Sequence, residues 1–211
     1  MKCKWLRRFQ LSTASFAILC LFFSVPASAA TPTEELRGAV TKVQKILTNP
    51  ELKSENRKKE RLNQLREVIF PKFDFAEMAK RSLGAHWKRR SPEEQREFVK
   101  AFTELLENAY ADSIDSYDGE KVVLTSEKQD KTFAEVKTKI VTKKGAEFAV
   151  NYRMHETEGT WKIYDVVIEN ISLVNNYRSQ FSRVIAKSSY EELLHGMKEK
   201  RFEGPGKQAK S

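Results

Sequence analysis

The sequence predicts an α+β fold, a curved antiparallel four-stranded sheet wrapped on helices. Three observations carry this. Between residues 33 and 116, apolar residues recur at spacings of three and four, with helix-start signals between the runs. Residues 122–170 change to strand-length segments separated by turns at Lys143-Lys144-Gly145 and Glu158-Gly159. From Ser172 the helical spacing returns. Helices, then hairpin-linked strands, then helices is the order of a segregated α+β domain, with the helices gathered against one antiparallel sheet.

The chain opens with Lys2, Lys4, Arg7 and Arg8, an apolar run from Phe16 to Val25, and Ala27-Ser28-Ala29. A basic start, a short apolar core and an A-x-A site predict a secretory signal peptide cut after Ala29. A membrane-spanning helix would need about 18 or more apolar residues, and this run is shorter. Cys20 follows Leu19, whereas a lipoprotein site wants a small residue before its cysteine. Cleavage removes four basic residues and no acidic ones, so the formal charge falls from +9 to +5. It also removes Cys3 and Cys20, which leaves no disulfide, thiol nucleophile or thiolate metal site for an oxidising compartment. The remaining chain of about 180 residues is long enough for one core without such staples. Residues 30–202 are expected to form that single domain, and 203–211, opened by Gly204-Pro205-Gly206, a disordered tail.

Thr33–Leu47 reads as a helix with Leu36, Val40, Val43 and Leu47 on one stripe, broken by Asn49-Pro50. A very polar helix is expected from Glu51 to about Phe70, with Leu62, Leu65, Val68 and Ile69 inward. Its Arg57-Lys58-Lys59 run is flanked by acidic residues and lacks an aromatic platform. That pattern predicts a solvated face and no nucleic-acid partner. After Pro71, Asp74 caps a short helix bearing Phe75, Met78, Ala79 and Leu83 and ending at Gly84. Ser91-Pro92-Glu93-Glu94 combines an N-cap serine, proline at the first helical position and a capping-box glutamate. It starts a helix to about Ser116 with a wide stripe: Phe98, Phe102, Leu105, Leu106, Ala109, Tyr110 and Ile114.

Strands are predicted at Val122–Lys128, Phe133–Thr142, Phe148–Met154 and Trp161–Asn170. The second has Glu135, Lys137 and Lys139 opposite Ala134, Val136 and Ile140, so its outer face is wet. In the fourth, plain alternation sets Trp161, Ile163 and Val167 on one face and Tyr164, Val166 and Ile168 on the other, both mostly apolar. Ser172 then caps a helix carrying Leu173, Val174, Tyr177, Phe181 and Ile185, and Ser188-Ser189 precedes a last one.

Chemistry is sparse. His86, His155 and His195 are far apart, with no second histidine at ligand spacing from any of them, so no metal is expected. No nucleophile elbow, zinc-protease helix or phosphate loop occurs. Asp165, among apolar residues with Tyr152, Tyr164 and Tyr177 nearby, is the one candidate general base. A buried carboxylate is costly unless paired, so its expected state is pairing with Arg153 or Arg178, tying sheet to helix.

The stretch Trp161–Phe181, WKIYDVVIENISLVNNYRSQF, resembles the signature of the phospholipid-binding proteins of the Mla (maintenance of lipid asymmetry) pathway, the MlaC or toluene-tolerance auxiliary family. Phe73-Asp74-Phe75, Met78-Ala79, Leu83-Gly84, Trp87, Ser91–Arg96 and Phe98 recur in that family's order and spacing. The resemblance covers nearly all of the chain after its first thirty residues. It implies an NTF2-like or cystatin-like cone enclosing an apolar cavity for acyl tails. It also implies a monomeric periplasmic carrier, free of cofactor and catalysis. Such a carrier moves glycerophospholipid between an outer-membrane lipoprotein–porin complex and an inner-membrane ABC lipid transporter complex. Two tails of roughly fifteen carbons, at about 0.8 kcal/mol per methylene, expose on the order of 20 kcal/mol or more in water. Apolar walls must offset most of that. The expected lipid-binding residues are Val150, Tyr152, Tyr164, Val166, Ile168, Val174 and Tyr177, with Phe98, Phe102, Leu105 and Leu106 opposite. A one-residue slip would exchange the strand set. A hopanoid carrier, an NTF2-like enzyme using Asp165 and a filled-core adaptor are the alternatives. Composition alone does not separate a filled core from a hollow one.

Overall fold

The computed structural model describes residues 30–115, 117–202 and 204. The expected signal peptide and nearly all of the expected tail lie outside the described residues. Helix α1, Pro32–Thr48, starts on Thr31. The Thr31 hydroxyl accepts the Glu34 N–H at 3.2 Å, and the Glu34 carboxylate accepts the Thr31 N–H at 2.8 Å. That capping box places the start at Pro32, one residue earlier than the expected Thr33. The long polar helix expected from Glu51 is shorter: two 3-10 turns, Pro50–Leu52 and Glu55–Arg57, precede α2, Lys58–Ile69. Asn49 accepts the Glu51 N–H and Ser54 is extended, so the chain turns twice before the helix can propagate.

Helix α3, Phe75–Leu83, is capped by Asp74, whose carboxylate accepts the Glu77 N–H at 2.8 Å. Helix α4, Pro92–Asp115, carries the predicted capping box between Ser91 and Glu94. The strands are β1, Lys121–Asp130; β2, Phe133–Val141; β3, Glu147–Thr157; and β4, Thr160–Ile168. A fifth, β5, is the two-residue Ile171–Ser172, so the sheet has five antiparallel strands in sequential order rather than four. The extra strand comes from a tight turn at Glu169 and Asn170, with φ of 47° and 66°. Two consecutive positive φ values make a hairpin turn that folds the chain straight back on β4, and asparagine tolerates that backbone. Helix α5, Leu173–Lys187, follows from its Ser172 cap, and α6, Tyr190–Lys198, from Ser189.

The buried apolar residues fall into two clusters. One joins α3, α4, α5 and α6 through Met78, Phe98, Phe102, Tyr177, Phe181 and Leu193, all at or near zero exposure. Its rings pack edge to face, Phe98 on Phe181 at 5.8 Å and Phe102 on Tyr177 at 5.7 Å. The other lies on the inner face of the sheet, where Ala134, Val136, Val150 and Met154 meet Leu36 of α1. Phe73 packs against both clusters and bridges to β4 beside Ile163. The sheet and the helices therefore meet along a line at Phe73, which leaves space on either side of it.

Candidate functional site

The register of β4 decides which residues face that space. Arg153 pairs with Asp165, but the next residue, Met154, pairs with Ile163, so Tyr164 is an extra residue on β4. A β-bulge of this kind shifts the alternation by one. Before it, Trp161 and Ile163 face inward; after it, Val166 and Ile168 do, and all four belong to the inner-face cluster or pack against it. The two faces expected from plain alternation are thus spliced into one. Tyr164 is left on the outer face, its ring under the Arg81 guanidinium at 4.3 Å and edge-on to His155 at 5.6 Å. His155 itself is mostly buried and lies 2.9 Å from the Asp74 carboxylate, tying β3 to the cap of α3.

Two apolar cavities flank Phe73. The first, about 450 Å³, lies between α1 and the sheet, lined by Leu36, Val40, Val43 and Leu47 from the helix and Ile140, Phe148, Tyr152 and Ile163 from the sheet. Lys72 and Glu120 are its charged wall residues, and Lys72 is paired with Glu35. The second, about 420 Å³, lies between α2 and α4 over the other end of the sheet. Leu62, Leu65 and Ile69 of α2 face Leu106, Tyr110 and Ala111 of α4, with Val150, Tyr152, Val166 and Ile168 beneath. Ile69, Phe73, Ile140 and Tyr152 line both and form the partition between them. Each volume sits within the ~300–1,000 Å³ of ordinary ligand pockets. Burial pushes the Tyr110 and Tyr152 phenols up to about 12. The Tyr110 and Tyr177 hydroxyls have no hydrogen-bond partner among the described residues.

Of the residues singled out from the sequence, Leu106, Val150, Tyr152, Val166 and Ile168 come together around the second cavity. Tyr152 also borders the first. Phe98, Phe102, Leu105, Val174 and Tyr177 lie in the closed helical cluster and line neither cavity. Their side chains pack on one another there, so the apolar stripe of α4 divides: Phe98 and Phe102 lie wholly inside the cluster, while Leu106 and Tyr110 lie at its edge and also border the second cavity. The sequence reading missed Phe73, Ile69 and the inner stripe of α1. The spacing of Leu36, Val40, Val43 and Leu47 was visible, but not that it faces a space.

Asp165 is buried and fully engaged. Its carboxylate accepts from the Ser172 hydroxyl at 2.6 Å, the Val174 N–H at 3.1 Å and Arg153 Nη1 at 3.1 Å. This joins β4 to the first turn of α5, as expected of a structural pair, with Arg153 as the partner. Arg178 instead donates to the Arg81 carbonyl. Asp165 lines neither cavity. Among the described residues no cluster of histidine and carboxylate side chains could hold a metal ion.

These features define a class: an α+β protein with a solid helical half and a hollow apolar half between helices and sheet. The chain belongs to the MlaC protein family, whose model matches residues 37–199. It is 26% identical over 140 residues to the intermembrane phospholipid transport system binding protein MlaC of Haemophilus influenzae, and this match spans 64% of the chain and 65% of that relative's length. It is 21% identical over 173 residues to the toluene tolerance protein ttg2D of Pseudomonas putida, covering 81% of this chain and 80% of that one. Among solved structures, a phospholipid-binding protein of Ralstonia solanacearum in complex with a phospholipid superposes with a TM-score of 0.72 at 26% identity. That match covers 81% of this chain and 97% of that one.

Proposed function

We propose that this chain is a periplasmic phospholipid carrier that encloses acyl chains in its two apolar cavities. The observation that carries the reading is the pair of cavities with almost wholly apolar walls. If a methylene takes up roughly the volume of a liquid water molecule, about 30 Å³, each cavity accepts a chain of about fifteen carbons. In this reading the sheet and helices form an NTF2-like cone, and Leu106, Val150, Tyr152, Val166 and Ile168 contact the tails. Residues 1–29 direct secretion, the carrier works as a monomer, and lipid passes between an outer-membrane lipoprotein–porin complex and an inner-membrane ABC transporter. Binding removes tails from water without any step of bond chemistry, so tail selection follows cavity size. The family membership, and the phospholipid bound in the Ralstonia structure, support the cargo. The engaged state of Asp165 disfavours the enzyme alternative, since a base must meet its substrate.

Native mass spectrometry of the protein purified from envelope extracts tests this. The expected spectrum carries one phospholipid mass on the polypeptide, and Ile140→Trp, which intrudes on both cavities, lowers the loaded fraction. Bare polypeptide under gentle desolvation, or loading untouched by Ile140→Trp, overturns the reading.

A further inference from the structure

The cavity between α2 and α4 has two charged wall residues, Arg66 and Glu107, one from each helix. They form an ion pair across the opening at 3.2 Å, with side chains 54% and 33% exposed. The Arg66 guanidinium also lies over the Phe70 ring at 4.6 Å, which fixes it at the rim. An apolar pocket that needed no polar recognition would gain nothing from an opposite-charge pair at its entrance. A pair this exposed adds little net stability, because both groups are nearly as well served by water. It can therefore be opened without unfolding anything.

We infer that Arg66 and Glu107 form a headgroup clamp selective for zwitterionic phospholipids. This rests on the carrier reading above. A phosphodiester presents oxygens that a guanidinium binds through two parallel N–H donors. An ammonium headgroup a few bonds away offers a cation for Glu107. A lipid bearing both charges replaces the internal pair with two pairs of the same signs. A lipid with phosphate alone takes Arg66 and leaves Glu107 without its partner, facing an anion. Ile69, three residues on from Arg66 on α2, lines both cavities. Residues three apart share a helix face. A headgroup held at Arg66 therefore sits beside the partition, where two chains from one glycerol enter the two compartments.

The test is lipid exchange. The purified protein is incubated with excess vesicles of equimolar deuterated phosphatidylethanolamine and phosphatidylglycerol and re-isolated, and its labelled lipid is quantified by mass spectrometry. The expected preference for phosphatidylethanolamine is about threefold, the discrimination a partly exposed ion pair supports. Glu107→Gln should bring the ratio to about one, because the neutral amide neither pairs with an ammonium headgroup nor repels an anionic lipid. Arg66→Gln should reduce uptake of both lipids. Uptake in the vesicle ratio by the unaltered protein, or an unchanged ratio in Glu107→Gln, overturns the clamp and leaves the carrier intact. Absence of labelled lipid in every form overturns the carrier reading and the clamp with it.

Discussion

Replacing Asp165 with alanine measures whether this carboxylate is a structural clamp. It holds three donors: a hydroxyl, a backbone N–H and a guanidinium. The Val174 N–H opens α5 and is buried, so losing its acceptor costs about 1–3 kcal/mol. Ser172 still caps the helix by accepting the Asn175 N–H at 3.1 Å, but its own proton loses a buried acceptor, roughly 1 kcal/mol more. Arg153 has a side chain 39% exposed and Glu135 at 3.7 Å, so water and that neighbour make its own loss negligible. Together these predict a loss of about 2–4 kcal/mol. With a urea dependence near 2 kcal/mol per molar for a domain of this size, the unfolding midpoint falls by about 1–2 M. Circular dichroism in a urea titration reads it, and lipid loading in the absence of urea should be retained. An unchanged midpoint would refute the clamp. A normal midpoint with abolished loading would move Asp165 into the binding machinery, where the structure does not place it.

Phe98 has no exposed surface and packs among Trp87, Phe102, Phe181 and Tyr190, so Phe98→Ala should cost about 3–5 kcal/mol in the same titration. The acyl-chain length bound, read by lipid extraction, should not change, because the hole opens in the helical cluster rather than in either cavity. Alkaline pH should unfold the protein cooperatively. Burial raises Tyr110 and Tyr152 from 10.0 to about 12, and raises Tyr177 further, with Tyr110 close by. The unfolded chain loses these protons first, so the stability they represent is complete below about pH 10 and disappears as pH climbs toward 12. Phenolate absorbance should rise together with the loss of circular dichroism. Titration of these tyrosines ahead of unfolding would contradict their burial.

The caps show how legible the local structure was. Asp74, Ser91, Ser172 and Ser189 start helices because each side chain satisfies an N–H within three residues of itself, an interaction written into adjacent sequence. The α+β class and the strand order followed from the same local signals, since short turns leave consecutive strands little choice of neighbour. The polar face of β2 was equally plain. The conformation of Asn170 and the two-residue β5 behind it were not, because nothing in the Glu169-Asn170 pair demands a tight reversal over a longer loop.

The sequence by itself determined the kinds of elements, their order, their caps and the supply of apolar side chains. The family was visible too, in a long run of residues around β4 and α5. Only the tertiary structure decided which side chains meet and which face a void. Tyr164 became the extra residue of a bulge, a choice made by Arg153 and Met154 on the neighbouring strand, and everything beyond it changed face. Phe98 and Leu106 share one stripe of α4, yet one is packed solid and the other borders open space, because α5 and α6 cover only part of that helix. Periodicity reports that a side chain avoids water. What it meets instead is set by residues distant in the chain, and a hollow presents the same pattern as a filled core.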